Sequence, residues 1–185
     1  MNLPKKDWSN VKEQRDLVYP TPGGYVCKIT AVEDVADRKY LYVEFDIAEG
    51  DYKNNFTERY KNYGNWPATG KAYLSYKSAE IMSYNFDPFI AAVQNSNVGY
   101  SFNEEDETTL KGKWVGVILG EEEYVDKRDN VIKTSLKARG FRSVSVIRDG
   151  RFRVPKMKEL SEEKKAEVLG FSSPDEDDSD LPSWL

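Results

Sequence analysis

Apolar and polar residues alternate most clearly between residues 39 and 47. Every second residue from Leu41 to Ile47 is apolar, whereas the residues between them are tyrosines or acids. A period of two residues is typical of a β-strand with one buried face. Residues 25–35 predict a preceding strand, which a short break joins to this one. The pattern therefore predicts a hairpin that turns Tyr40 and Tyr42 away from the core.

Weaker patterns place further elements along the rest of the chain. Asp87-Pro88 suits the start of a helix, Ser161 suits a helix N-cap, and Gly170 suits a helix end. The predicted elements are a third strand near residues 56–60, a further extended piece at 72–76, a helix over 78–97, a fourth strand over 112–119, a hairpin loop over 121–130, a fifth strand over 131–147 bent at Gly140, and a short helix over 161–169.

The order of these elements predicts the fold class. Five short strands with one helix between the third and the fourth are typical of an OB-fold, a five-stranded and partly open Greek-key barrel. We therefore predict a mainly β protein built on an OB-fold barrel, with a generic α+β domain as the alternative. The predicted parts are an N-terminal extension (1–20), the OB-fold domain (21–158), a short helix (159–171) and a disordered acidic tail (172–185).

The 185-residue chain is rich in aromatic residues. Charged residues make up 32% of the chain and aromatic residues 13%, and twelve of the rings are tyrosines. A chain of this length has room for one domain with one core. Since so many rings exceed what that core needs, we expect several aromatic side chains at the surface.

The absence of histidine and the single cysteine limit the chemistry of the chain. Ser-His and Cys-His nucleophile systems, disulfides within the chain and Cys/His zinc sites are excluded. Cys27 lies in an apolar run, where a small buried thiol is expected. The acidic clusters at 104–107 and 121–123 lie in predicted loops and lack the separated carboxylates of a two-metal nuclease. We predict a protein that is not an enzyme and needs no cofactor or metal.

The chain starts with a polar segment and contains no long apolar run. Neither a secretory leader nor a membrane-spanning helix is therefore predicted. A single reduced cysteine suits a cytoplasmic protein. We expect the protein in the cytoplasm, without a membrane partner.

Positive charge is concentrated between residues 127 and 158, where eleven basic residues stand against two acidic ones. On the fifth predicted strand, Lys133, Lys137 and Arg139 share one face with Ser135. The residues expected to face the core instead are Ile132, Thr134, Leu136 and Ala138. A row of cations suits the phosphates of a nucleic acid and makes affinity depend on salt. A solvated strand face is the alternative, but the near absence of acids favours nucleic acid.

Aromatic side chains supply the second component of a single-strand site. Unstacked bases stack on tyrosine, tryptophan and phenylalanine rings at roughly 1–3 kcal/mol each, without regard to sequence. Trp114 is out of phase with the apolar set that follows it, and Tyr40 and Tyr42 face outward. Each ring alone could equally be a packing residue, but the set favours nucleic acid. The predicted DNA-binding residues are Tyr40, Tyr42, Trp114, Lys133, Lys137, Arg139, Phe141, Arg142, Arg151, Phe152 and Arg153.

The last fourteen residues, 172–185, include five acids and no basic residue. Because the whole chain has 27 Lys+Arg and 32 Asp+Glu, this segment accounts for its net charge of -5. Such a segment is expected to be disordered. Its apolar tip suits recognition by another protein, and an ordinary frayed terminus is the alternative. The predicted partner-binding residues are Asp175, Glu176, Asp177, Asp178, Asp180, Leu181, Trp184 and Leu185.

These features together resemble phage-encoded single-stranded DNA-binding proteins of Gram-positive bacteria and their prophages. The resemblance covers residues 20–158 and rests on the opening Pro-Gly-Gly-Tyr-Val-Cys-Lys-Ile, the alternating strand that follows it, the segment from Lys113 to Tyr124 and the acidic tail. The tail also follows the plan of bacterial and T7-type single-stranded DNA-binding proteins, although it ends in Leu185 where those families usually have phenylalanine. The resemblance implies sequence-independent DNA binding in phage replication or recombination, with the tail recruiting a polymerase, helicase or recombinase.

The sequence leaves three functions to compare. The first is a single-stranded DNA-binding protein whose mobile tail docks partner proteins and competes with DNA for the basic surface. The second is a protein-interaction adaptor or anti-host phage factor without DNA binding, against which the basic stretch argues. The third is RNA binding by the same fold, which the sequence does not separate from the first. The oligomeric state also stays open, with a homodimer among the options.

Overall fold

Six β-strands and four α-helices make up the part of the chain that the structure, a computed structural model, describes, namely residues 5, 7, 9, 18–78, 81–82 and 85–170. The strands are β1 (Gly23–Val35), β2 (Tyr40–Ile47), β3 (Lys71–Ser78), β4 (Ile81–Met82), β5 (Trp114–Asp126) and β6 (Val131–Arg142). The helices are α1 (Asn55–Tyr63), α2 (Phe86–Ser96), α3 (Val144–Arg148) and α4 (Glu162–Leu169).

The strands pair in the order β4-β3-β2-β1-β5-β6, and each pairing is antiparallel. β1 is central because it pairs with β2 on one side and with β5 on the other. Within the described residues no pairing joins β3 to β6, so the sheet is open. Residues of β3 and β6 nevertheless line a common cleft. The mainly β class and the hairpin of β1 and β2 are thus confirmed.

The main core lies between the inner face of the sheet and α2. The four apolar residues of β2 from Leu41 to Ile47 are all buried, as the alternation predicts. Phe89 of α2 meets Phe141 of β6 edge to face, with the ring centroids 5.1 Å apart. Removing a buried phenylalanine typically costs about 3–5 kcal/mol. This contact therefore anchors α2 to the sheet.

A second, smaller apolar cluster covers the outer face of β1 and β5. It consists of Val26, Ile118, Val144 and Ile147, with Trp114 and Phe152 packed against it. A Cβ atom on Gly116 of β5 would lie 2.4 Å from Cγ1 of Ile147, so α3 packs directly on the glycine backbone. The predicted fifth strand over 131–147 is wrong beyond Arg142, because Val144 and Ile147 are spaced to face the sheet from a helix.

The predicted third strand near residues 56–60 is also wrong, because these residues belong to α1. Aromatic residues favour strands, but Phe56 and Tyr60 stand four residues apart, which suits one face of a helix. The third strand of the sheet is instead β3, which contains the extended piece predicted at 72–76. Asn54, a residue type that suits a helix N-cap, does occupy that position, but its side chain makes no capping hydrogen bond.

The signal that starts α1 comes from a distant residue, Asp46 at the end of β2. Its carboxylate accepts hydrogen bonds from the backbone N–H groups of Phe56 and Thr57, both at 2.9 Å, and from that of Ile47 at 2.8 Å. The first N–H groups of a helix lack partners within the helix and attract a carboxylate. The alternation of β2 predicts Asp46 on the outer face, but it is only 5% exposed.

The other helix predictions differ in their bounds. The helix predicted over 78–97 begins only at Phe86, and Ser78 and residues 81–82 are strand. Asn85 occupies the N-cap position, so Asp87-Pro88 lies inside the first turn, where proline is tolerated. The helix predicted over 161–169 is confirmed as α4, with its Ser161 cap and with Gly170 at a φ of +70°. No helix in the described ranges is long and apolar enough to cross a membrane.

The β5–β6 hairpin is longer than the sequence predicts. β5 continues to Asp126, so the hairpin loop predicted over 121–130 is reduced to residues 127–130. The last residue of β5 that pairs with β1 is Leu119, and beyond it β5 and β6 continue as a hairpin ribbon to which Lys158 adds a parallel bridge at Glu122. Thr134, predicted to face the core, is exposed on this ribbon, whereas Leu136 and Ala138 pack on the core as predicted.

We expect Asp46→Asn to lower the free energy of unfolding, measured by urea denaturation, by about 1–3 kcal/mol, because buried N–H groups lose a charged acceptor. Asp37→Asn is the control, since Asp37 is exposed and lies outside these contacts. It should change the stability by less than about 0.5 kcal/mol. Equal stability of the two variants would contradict the capping role of Asp46.

Candidate nucleic-acid interface

Three tyrosines form a ring cluster on the outer face of β2 and β3. Tyr42 stands opposite Tyr73 in the strand pairing, and the two ring centroids are 5.3 Å apart. Tyr40 meets Tyr73 edge to face at 5.5 Å. Tyr73 is 61% exposed. A pair of strands thus presents an aromatic surface to solvent, as base stacking requires.

Tyr73 was not among the residues predicted from the sequence. Ala72 and Leu74, on either side of it, are buried on the inner face of β3. Phasing the strand by these two apolar residues would have placed Tyr73 outside. The signal was present, but the short extended piece offered too few alternations to assign its faces.

Charge is distributed unevenly around this cluster. The hydroxyl of Tyr42 donates a hydrogen bond to Glu44, and burial together with this carboxylate raises the pKa of Tyr42 well above its usual value. On the β3 side of the cluster, Nζ of Lys71 lies 5.7 Å from the centre of the Tyr42 ring. Glu33 of β1 stands opposite Tyr42. Because β1 and β2 present carboxylates, the side of the cluster that suits a phosphate is the β3 side.

On that side, the cleft between β3 and β6 brings basic and aromatic residues together. Its volume is ≈ 260 Å³. Lys71 and Tyr73 line it from β3, and Lys137 lines it from β6. The remaining lining residues are Ala68, Ala72, Leu74, Asn85, Glu122, Ala138 and Phe141. Strands distant in sequence therefore place two lysines beside an exposed tyrosine ring.

A β-bulge at Arg139 decides which side chains of β6 face outward. Ile118 of β5 pairs with Gly140, whereas the next residue, Leu119, pairs with Ala138, so Arg139 has no opposite residue. The extra residue shifts the alternation of the strand by one position. Lys137, Arg139 and Arg142 therefore all lie on the outer face.

The same bulge turns Phe141 inward, so its ring lies in the core and not on the outer face with the predicted cations. The residue pairs with Val117 on the core face and is 1% exposed. Its ring contacts Phe89 of α2, as described above. An uninterrupted alternation from Lys137 onward would place it beside Lys137 and Arg139 on the outer face.

Three arginines surround Phe152 in an open groove next to the end of β6. This arginine groove has a volume of ≈ 400 Å³ and is lined by Arg142, Gly150, Arg151, Phe152 and Arg153. Arg151 is paired with Asp149 at 2.8 Å. Arg142 donates to the carbonyl oxygen of Phe141, and neither Arg142 nor Arg153 has a carboxylate partner among the described residues. The groove is therefore strongly positive.

Phe152 is held in place by a close contact with β1. A Cβ atom on Gly24 would lie 2.4 Å from Cζ of the Phe152 ring, so the ring rests on the glycine backbone. Trp114 lies on the same outer face, as predicted, and Nζ of Lys28 is 5.2 Å from the centre of its ring. Both rings are partly buried in the outer apolar cluster and partly accessible.

Lys133 is separated from the other predicted residues. It lies near the tip of the β5–β6 ribbon, where its ammonium group bonds to Asp126 at 2.7 Å and to Asp129 at 2.6 Å. These hydrogen bonds raise the pKa of Lys133 above its usual value. Its charge is thus compensated by two carboxylates, which weakens its electrostatic attraction for a phosphate.

The structure therefore divides the predicted DNA-binding residues into several places. Lys137 joins Lys71 and Tyr73 in the cleft, beside Tyr40 and Tyr42. The groove holds Arg142, Arg151, Phe152 and Arg153, and Arg139 lies on β6 between cleft and groove. The predicted partner-binding residues of the tail lie outside the described residues.

The described ranges also contain acidic side chains and one cysteine. No group of three or more cysteine, aspartate or glutamate side chains there could hold a metal ion. Burial raises the pKa of the Cys27 thiol, which is fully enclosed in the core. Neither a protein-family model nor a curated protein matches the chain.

We expect the carboxyl group of Asp126 to titrate at about 2, because Lys133 and the backbone N–H of Arg128 hold its pKa below the usual range. The stabilisation from this ion pair is then present above the unfolded-state pKa of about 3.9 and lost as the pH falls through the folded-state value. NMR titration of the carboxyl carbon measures it. Lys133→Gln should raise the midpoint, whereas Lys127→Gln in the same turn should not. An unchanged midpoint in Lys133→Gln would rule out the pairing.

Proposed function

We propose that this chain is a sequence-independent single-stranded DNA-binding protein. The observation that carries the proposal is the cleft between β3 and β6, where the exposed ring of Tyr73 stands beside Lys71 and Lys137. Rings that stack on bases and cations that contact phosphates are the two components of such sites.

An OB-fold barrel is the architecture we propose for this site. β1 pairs with both β2 and β5, and β3 and β6 form the two sides of the cleft that a pairing between them would close. α2 lies between β3 and β5 in the chain and packs against β6. In OB-folds, nucleic acids bind over the second and third strands, which here carry the tyrosine cluster.

Binding without sequence preference follows from the groups in the cleft. Every base has a π-face that can stack on Tyr40, Tyr42 or Tyr73, whereas the lysines contact only phosphates. The bases of a duplex are already stacked on each other and do not present these faces. Each phosphate contact releases counterions, so the affinity should fall steeply with salt.

The biological setting is a proposal that rests on the resemblance to phage single-stranded DNA-binding proteins. The resemblance implies a role in the replication or recombination of phage DNA in the cytoplasm of a bacterial host. In this proposal the tail, residues 172–185, recruits a replication or recombination protein and competes with DNA for the basic surface. The ion pair of Lys165 in α4 with Glu123 of β5, at 3.4 Å, supports the competition, because it holds the helix that precedes the tail beside β5.

Quenching of the intrinsic tyrosine and tryptophan fluorescence measures the proposed binding. We expect oligo-dT to quench it more strongly than duplex DNA, and more at low than at high salt. Tyr73→Ala should weaken binding of oligo-dT by about 1–3 kcal/mol. The control is Tyr63→Ala, which removes an exposed tyrosine of α1 outside the cleft.

Three results of this titration would count against the proposal. No quenching by oligo-dT would reject DNA binding. Equal affinities of the Tyr73→Ala and Tyr63→Ala variants would reject the cleft as its site. Tighter binding of oligo-U than of oligo-dT would favour RNA as the ligand.

Deleting residues 172–185 should tighten DNA binding, because it removes a tethered polyanion that competes for the same cations. The gain should be larger at low salt than at high salt. A second variant keeps the length of the tail but replaces its five acids with asparagine or glutamine. It distinguishes the effect of the tail's negative charge from the effect of its mere presence. If neither change alters the affinity, the tail does not compete with DNA.

A further inference from the structure

The cleft and the arginine groove are joined by a continuous row of cations on β6. Lys137 lines the cleft, Arg142 lines the groove, and Arg139 lies between them on the same outer face. Arg142 lies five positions after Lys137, which corresponds to about 16 Å along a strand. Without the bulge, Arg142 would point into the core and the row would end at Arg139.

No carboxylate side chain interrupts this row on β6. The guanidinium group of Arg139 donates to the carbonyl oxygen of Glu121 at 3.1 Å and has no carboxylate partner among the described residues. The alkyl part of Arg139 lies against Gly120 of β5, where an added Cβ would be 3.0 Å from its Cγ. Arg139 is therefore held flat on the sheet surface, with its charge directed along the outer face.

The arginine groove offers the same two components as the cleft, on a different part of the surface. Phe152 provides a ring, and Arg142 and Arg153 provide cations that no carboxylate neutralises in the described chain. The cleft lies at the β3 and β6 sides of the sheet, whereas Phe152 rests on Gly24 of β1. The two places are therefore distinct parts of the surface.

We propose that the arginine groove is a second subsite for the same DNA strand, which runs from the cleft across the outer face of β6. This inference rests on the proposed function. A strand long enough to occupy both subsites gains the second contact at high effective concentration, and a short one does not. The groove should therefore contribute to the affinity only above a threshold length of DNA.

The acidic tail is another anion that the groove could attract. DNA is favoured because the groove continues the row of cations from the cleft and contains a ring on which a base can stack. If the groove instead held the tail, removing the arginines of the groove would release the tail from it. Such a change would not weaken DNA binding.

The test compares oligo-dT of about 4 and about 16 nucleotides, the range of site sizes for one OB-fold. In the full chain, Arg142→Gln/Arg153→Gln should weaken binding of the long strand about fivefold or more and leave the short strand within about twofold. Lys61→Gln/Lys111→Gln is the control, since it removes the same charge at two exposed positions outside β6 and the groove. Tyr73→Ala should weaken both strands.

A second pair of variants removes no charge. Gly24→Ala places a methyl group where the ring of Phe152 lies, and it should weaken binding of the long strand only. Gly23→Ala is its matched control, because the nearest atom to the added Cβ is 3.6 Å away, an ordinary contact. A similar circular dichroism spectrum and melting temperature for the two variants shows that any difference in binding does not come from unfolding.

The possible outcomes separate this inference from the proposed function. If the unmodified chain binds neither strand, the proposed function itself fails. If it binds both, but the double arginine variant affects short and long strands equally or affects neither, the second subsite is rejected. Tighter binding of the long strand by that variant would also reject it, in favour of the tail as occupant of the groove.

Discussion

The single unpaired residue of the bulge at Arg139 links the core of the protein to its charged surface. On one side of the bulge, Lys137 faces outward and Ala138 faces the core; on the other, Phe141 faces the core and Arg142 faces outward. The shift of one position gives α2 its aromatic partner on β6 and extends the row of cations. A strand without the bulge would lose both, because a change of register exchanges the two faces of a strand. Packing and charge therefore constrain the same residue.

The elements that could be predicted from the sequence are those whose information is local. β2 alternates over its whole length, so its buried face was correct at the four apolar positions. α4 carries its own cap at Ser161 and its own end at Gly170. The outward position of Trp114 followed from the apolar residues after it. In each case, the residues that determine the structure lie within one element.

The remaining elements depend on partners that are distant in the sequence. α1 starts because Asp46, nine residues before its first residue, binds its N–H groups. α3 forms because the glycine surface of β5 at Gly116 accepts Ile147. For the same reason, the sequence identified the basic part of the candidate site but missed Tyr73, whose importance arises only where β3 meets β2 and β6. The pattern of residues within one segment does not show which distant segment packs against it.

Counting charges along the chain also overstates the positive charge available to a ligand. Arg148 is paired with Glu49, a residue far away in sequence, and Lys133 and Arg151 are bound to nearby carboxylates. The basic residues without a carboxylate partner in the described chain include Lys137, Arg139, Arg142 and Arg153, which lie on β6 or beside Phe152. The free charge is thus smaller than the local excess in the sequence, but it is arranged along one path. That arrangement, more than the total, is what a phosphate backbone can recognise, because phosphates are regularly spaced along a strand.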